Sequence, residues 1–273
     1  MMATLESFLK DAAQGDLVPW SSQVLAAQRF DLSLATVEGT ILYLDLLPAR
    51  YQRNRNMISI KQQRRLFNSH AVVIGCGGLG GYVLEQLARL GVGRITAVDP
   101  DTFEEHNLNR QLLSSPRLLG HAKVEVAASR ITDINPAVTV VPVLAAFGED
   151  NGVEIVAGAD VVVDAVDNVP ARFALANICG AAGIPLVHGA IAGWYGHVAT
   201  QYPGDTTLQK IYSRFKNGKG VESELGNPSF TPGVAASFQV AEACKVLIEE
   251  GDALRHRKLH LNLLDMEVVD VPF

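Results

Sequence analysis

Between residues 71 and 271, short apolar runs alternate with stretches whose apolar residues recur every three or four positions. Runs of the first kind read as buried strands, and stretches of the second kind read as amphipathic helices. Ala71-Val72-Val73-Ile74 ends in glycines and predicts a buried strand. Gly81 to Leu90 carries Leu84, Leu87 and Ala88 at helical spacing, with Gly91 placed to cap it. Arg94 to Asp99 predicts a second strand, and Lys123 to Asp133 a helix with Val124, Ala127, Ala128 and Ile131 on one face. Asp160 to Val166 predicts a third strand, after which Pro170 opens a helix as a first-turn proline. Pro185 to His188 predicts another strand. Thr231-Pro232 opens a long helix ending at Gly251, and Leu259 to Val271 predicts two closing strands. The alternation predicts an α/β fold: a Rossmann-like, mostly parallel sheet with helices on both faces.

The first 49 residues follow a different pattern. Pro19 and Ser21-Ser22 start a predicted helix that carries Val24, Leu25 and Ala27 and runs to about Phe30. Leu32-Ser33 makes a turn, and Ala35 to Leu47 predicts a second helix with Val37, Ile41, Leu44 and Leu47 on one stripe. Charge marks the end of this section. Residues 1–49 hold six acids and two bases, whereas residues 50–65 hold six bases and no acid, with Pro48 at the switch. The predicted division is a small helical, helix-turn-helix-like unit over 1–49 and an α/β domain over 50–273. A DNA reader needs cations on its exposed faces, so the acidic unit is expected to pack or dock rather than to bind DNA.

Composition narrows the class. In 273 residues, 48% are hydrophobic and 19% charged, enough apolar surface for a sizeable core and too little charge for wholesale disorder. The net charge of -6 argues against a protein that coats nucleic acid. No apolar run approaches the ~18–20 residues of a membrane span, and the first residues lack a secretion signal, so a cytoplasmic location without membrane attachment is expected. Cys76, Cys179 and Cys244 are too few and too far apart for a disulfide scaffold or a four-thiolate zinc site, and no zinc is expected.

The candidate chemistry starts at Gly75-Cys76-Gly77-Gly78-Leu79-Gly80, which follows a predicted strand and precedes a predicted helix. Glycines let the backbone approach phosphate oxygens, and the helix start offers unpaired N–H groups, so Gly75, Gly77, Gly78 and Gly80 form a candidate phosphate loop. Asp99 ends the next strand, where an acid can accept hydrogen bonds from ribose hydroxyls, with Asp101 two residues on. Asn107-Leu108-Asn109-Arg110-Gln111 then supplies a cation and three amides. Lys123 lies thirteen residues beyond Arg110 at a helix start, and Asp167-Asn168 follows the third strand. Two cations and an acid at strand ends suit a triphosphate and its metal better than a dinucleotide. Each has an ordinary alternative: surface ion pairs for Arg110 and Lys123, and a cap at Pro170 for Asp167. Cys179 and Cys244 fall on predicted amphipathic helices and are expected in the core, and Cys76 as a spacer.

Arg50-Tyr51-Gln52-Arg53, Gly75 to Gly80, Asp99-Pro100-Asp101, Asn107 to Gln111, Gly120-His121-Ala122-Lys123, Ile134-Asn135-Pro136 and Asp167-Asn168 occur in an order and spacing that resembles the ubiquitin-activating-like ThiF/MoeB/HesA family. The resemblance runs from about Arg50 to the C-terminus. It implies ATP-dependent adenylation of the C-terminal glycine of a ubiquitin-like sulfur-carrier protein ending in Gly-Gly, with ATP and Mg²⁺ as the bound groups. It further implies that Gly78 lies against the phosphates and Asp99 holds the ribose. By the same resemblance Asn107, Arg110, Gln111 and Lys123 grip the triphosphate, and Asp167 holds Mg²⁺. Arg53 would reach the partner's ATP across a homodimer. Many relatives carry paired C-x-x-C zinc motifs, and some a cysteine in the loop matching Tyr202–Thr231; this chain has neither. The chemistry is therefore expected to stop at the adenylate. The alternatives are a tRNA-modification dehydratase of the same family, a nicotinamide dehydrogenase, and a non-catalytic nucleotide-binding regulatory protein.

Overall fold

The computed structural model describes residues 4–213 and 225–273. The glycine-containing stretch Lys216–Gly220 of the loop between Tyr202 and Thr231 lies outside the described residues. Ten strands are present among them. Two short ones, β1 (Leu17–Val18) and β2 (Leu47–Pro48), pair in parallel near the N-terminus. The other eight are β3 (His70–Ile74), β4 (Arg94–Val98), β5 (Thr139–Val143), β6 (Val161–Asp164), β7 (Leu186–Ala192), β8 (Tyr195–Gln201), β9 (Arg257–Asn262) and β10 (Glu267–Pro272). They form one sheet in the order β10-β9-β8-β7-β6-β3-β4-β5. Strands β3 to β7 run parallel, and β8, β9 and β10 are added antiparallel.

Alternation along the strands explains the two helical layers, because successive side chains in a strand point to opposite faces. Ala71, Val73, Ile95, Ala97, Val161 and Val163 face one side. There they pack under α4 (Ile60–Asn68), α5 (Gly78–Leu90), α6 (Lys123–Ile134) and the long α10 (Phe230–Ile248). Val72, Ile74, Val98, Val162 and Leu186 face the other side, against α7 (Gly152–Val156), α8 (Val169–Ala182) and α9 (Thr207–Ile211). Both layers keep the sheet dry, which is why its central strands read as unbroken apolar runs. Cys179 is buried in the second layer as its helical position predicted, whereas Cys244 is only half-buried against the first.

The N-terminal section departs from expectation at its end. The helices α1 (Leu5–Ala12), α2 (Trp20–Phe30) and α3 (Leu34–Tyr43) pack around Leu9, Val18, Ala26, Val37 and Ile41. Helix α3 stops at Tyr43 instead of continuing to Leu47. Asp45 adopts φ +55°, and Leu47 precedes a proline, which disfavours helical backbone there and turns Leu47–Pro48 into β2.

A buried polar seam joins α3 to the C-terminal ends of α5 and α6. The Tyr51 hydroxyl donates to Glu38 Oε1 at 2.7 Å and accepts from Asn135 Nδ2 at 2.9 Å, and that amide also donates to the Ala88 carbonyl. Arg50 adds a hydrogen bond to Asn135 Oδ1. The Arg50-Tyr51 and Asn135-Pro136 motifs therefore meet each other, well apart in sequence. Tyr51→Phe leaves the Glu38 carboxylate and the Asn135 amide each short of a buried partner, which costs about 1–3 kcal/mol. A urea midpoint that falls accordingly is the expected result, and an unchanged midpoint would remove the seam from the stability of the fold.

Candidate nucleotide site

In an open α/β sheet, ligands bind beyond the carboxyl ends of the strands at the point where strand order reverses. Here that point lies between β3 and β6. A cleft of about 450 Å³ opens there, lined by the turns after β3, β4 and β6.

The turn after β3 is built by steric necessity. Gly75 has φ +98°, and a Cβ on it would lie 2.5 Å from the Ala165 carbonyl oxygen. A Cβ on Gly80 would lie 1.7 Å from the Gly75 carbonyl oxygen, so any side chain there would break the turn. Gly77 caps α5 without a side-chain partner, and Gly78 is its first residue, so the helix start is open to the cleft. Cys76 points inward. Its thiol is buried and pushed well above the ordinary range by burial, while its N–H donates to Asp99 Oδ2 at 2.7 Å.

Asp99 follows β4. Its other oxygen accepts the Asp101 N–H at 2.8 Å, and burial raises its pKa against the pull of the Cys76 N–H and Lys123. The Lys123 ammonium, on the first residue of α6, is buried 2.9 Å from Asp101 Oδ2 and 3.9 Å from Asp99 Oδ1. A buried cation paired on two carboxylates at a cleft edge is ready to exchange one partner for a phosphate oxygen. Arg110 lines the same edge, its guanidinium held by the His106 carbonyl at 2.8 Å and by Asn109 Oδ1. Gln111 is buried beside it, and its Oε1 has no hydrogen-bond partner among the described residues.

Asp167 and Asn168 form the opposite wall. Asn168 is the N-cap of α8, its Oδ1 accepting the Ala171 N–H at 2.9 Å, and Asp167 leaves that task to its neighbour. Among the described residues no group of three or more His, Cys, Asp or Glu side chains is placed to hold a metal. Asp167 brings one carboxylate to the cleft, an oxygen donor of the kind Mg²⁺ takes alongside phosphate oxygens.

Thus Gly75, Gly77, Gly78, Asp99, Asp101, Arg110, Gln111, Lys123, Asp167 and Asn168 converge on one cleft. Three candidates do not. Gly80 serves the turn. Asn107 is buried with Oδ1 accepting the Glu104 N–H at 2.9 Å, a cap of the short helical turn after β4. Arg53 is exposed and lies outside this chain's own cleft. The sequence offered no signal for Arg172, a buried arginine of α8 that also lines the cleft.

The whole of this arrangement falls within residues 51–272, which match the model of the ThiF family. The chain belongs to that family. It is 39% identical over 228 residues to the SAMP-activating enzyme E1 of Haloferax volcanii, covering 82% of this chain and 84% of that protein. It is 35% identical to the sulfur carrier protein adenylyltransferase of Thermus thermophilus, over 79% of this chain and 82% of the relative. Against the adenylyltransferase and sulfurtransferase MOCS3 of Arabidopsis thaliana the identity is 30%, and the chain spans 58% of that protein's length. The crystal structure of the E. coli tRNA N6-threonylcarbamoyladenosine dehydratase superposes with a TM-score of 0.62 at 28% identity, over 73% of this chain and 94% of that one. Among the described residues no helix is long and apolar enough to cross a membrane.

Proposed function

We propose that this ThiF-family chain is an adenylyltransferase that activates the C-terminal glycine of a ubiquitin-like sulfur-carrier protein ending in Gly-Gly. The observation that carries the reading is the buried Lys123, paired with Asp99 and Asp101 in the same cleft as the glycine turn and Asp167. In this reading Gly75, Gly77 and Gly78 lie against the phosphates, and Asp99 accepts from the ribose hydroxyls. Arg110, Gln111 and Lys123 contact the triphosphate, and Asp167 and Asn168 sit where Mg²⁺ would be held, a cation that supplies charge compensation on the phosphates. Gly80 and Asn107 support the site by shaping the turns from which it is built.

The carrier's terminal carboxylate oxygen attacks the α-phosphorus of ATP. A P–O bond forms, the bond to pyrophosphate breaks, and an acyl-adenylate is left. A carboxylate is already ionised at neutral pH, so no general base is needed. The protein's contribution is alignment of the two reactants and stabilisation of charge on the phosphates. Residues 1–49 are proposed as a separate unit that packs at the C-terminal ends of α5 and α6, away from the cleft at their N-terminal ends. Carrier-dependent exchange of pyrophosphate into ATP is the expected result. Exchange that needs tRNA instead of a carrier would favour the dehydratase reading, which the 28% identical neighbour supports.

The cysteines are not part of this chemistry. Burial pushes the Cys179 thiol up to about 12 and raises Cys76 and Cys244 as well, so none is a thiolate at neutral pH. A chain with Cys179 and Cys244 replaced by alanine should keep its exchange activity, at a stability cost of roughly 1–3 kcal/mol from the lost packing. A carrier adduct on the wild-type chain that survives denaturation and dissolves in thiol would overturn this.

A further inference from the structure

Beneath the Asp167 wall of the cleft lies a buried polar cluster that the adenylation chemistry does not itself use. Asp164, the last residue of β6, and His188 of β7 are register partners in the sheet, so their side chains lie side by side on the face covered by α8 and α9. Both are fully buried. Asp164 Oδ1 accepts the Val166 N–H at 3.0 Å, which folds the backbone into the turn that carries Asp167 and Asn168. Asp164 Oδ2 lies 2.6 Å from His188 Nδ1 and 4.0 Å from Arg172 Nε. Arg172 in turn donates from Nη2 to the Val166 carbonyl at 2.9 Å. One carboxylate therefore organises both the turn and the arginine of the cleft wall.

His188 is itself held from the far side. A carboxylate only accepts, so Nδ1 carries the proton and Nε2 is left as the acceptor. The Tyr212 hydroxyl, just beyond α9, lies 3.1 Å from that Nε2, and His197 Nε2 of β8 lies 3.1 Å from it as well. Arg172 stacks over the Tyr212 ring at 5.3 Å, closing the circuit. Burial lowers the pKa of His188 despite the pull of Asp164, and lowers His197 further, which keeps both rings neutral. A neutral, singly protonated ring has one donor and one acceptor; in His188 the donor meets Asp164 and the acceptor lies within reach of Tyr212 and of His197.

We propose that His188 is a positioning residue for the nucleotide cleft, acting through Asp164 on the turn that presents Asp167 and on the Arg172 guanidinium, with Tyr212 fixing its ring. The activity part of its test rests on the adenylation reading. The binding part does not.

Three variants separate positioning from bulk stability. His188→Leu fills similar space with no donor. His188→Asn supplies an amide N–H to Asp164 but cannot reach Tyr212, and Tyr212→Phe removes only the hydroxyl. The dissociation constant of ATP, measured by calorimetry in excess Mg²⁺, should rise about tenfold or more in His188→Leu, as for lost outer supports of a ligand site. His188→Asn should recover most of the loss, and Tyr212→Phe should show a smaller rise. Pyrophosphate exchange should follow through its KM for ATP more than through kcat. The idea fails if His188→Leu binds ATP as the wild type does. It also fails if the Asn and Leu variants are equally impaired in proportion to their loss of melting temperature. A wild-type chain that binds ATP but exchanges no pyrophosphate would overturn the adenylation reading instead, and the binding series would still decide the role of His188.

Discussion

Asp167→Ala should abolish carrier-dependent pyrophosphate exchange while the chain stays folded. The structure allows the two effects to be separated. Asp167 lines the cleft, but the helix that follows is capped by Asn168, whose Oδ1 takes the Ala171 N–H. Removing the Asp167 carboxylate therefore costs α8 little. What it removes is negative charge at the position proposed for Mg²⁺, opposite the cations Lys123 and Arg110. Loss of one such preorganised electrostatic contact typically costs ~3–4 kcal/mol in the transition state, roughly a hundredfold to a thousandfold in rate. Asp167→Asn keeps the shape without the charge and should be nearly as slow. Exchange at near wild-type rate in either variant, with the melting temperature unchanged, would take Asp167 out of the mechanism.

The parallel core of the fold was legible because its strands are buried on both faces and its helices amphipathic, so each element declares itself within a few residues. The strands that escaped are those lacking such a declaration. β5 is an edge strand, half-buried, with Pro142 within it, and prolines are tolerated at edges for want of a needed donor. β8 begins Tyr195-Gly196-His197, where alternation is weak and the identity of the strand comes from its antiparallel partners β7 and β9. The site divides the same way. The glycine turn, Asp99 and Lys123 are features of single turns at strand ends and could be placed from the order of the elements. An asparagine reads the same whether it meets a phosphate or caps a turn, and the Oδ1 of Asn107 caps one. Arg172 and His188 carry no local signal. Their meaning depends on the register that sets Asp164 beside His188, and register between β6 and β7 is a property of the folded sheet.

Arg53 is the residue whose role depends most on what lies beyond one chain. It is exposed, and among the described residues it makes no ion pair and does not enter its own chain's cleft. The bland reading is a solvated surface cation in a basic stretch. The alternative proposed here is that it completes the phosphate clamp of a second copy in a C₂ homodimer, where an isologous interface would present two equivalent composite sites. Arginine suits that task because its planar fork makes bidentate contact with phosphate and keeps its charge. Arg53→Ala should then lower exchange by a factor comparable to Asp167→Ala, roughly a hundredfold or more for a lost transition-state contact. The decisive experiment pairs the two defects. An Arg53→Ala subunit and an Asp167→Ala subunit, each inactive alone, are given different tags and the mixed dimer is isolated. If the arginine acts in trans, one site of the mixed dimer has both defects and the other has neither, so half of the wild-type activity per dimer returns. If it acts within its own chain, both sites keep one defect and nothing returns. Isolated mixed dimers without activity would confine Arg53 to its own subunit, and a wild-type chain that sediments as a monomer while fully active would remove the composite site altogether.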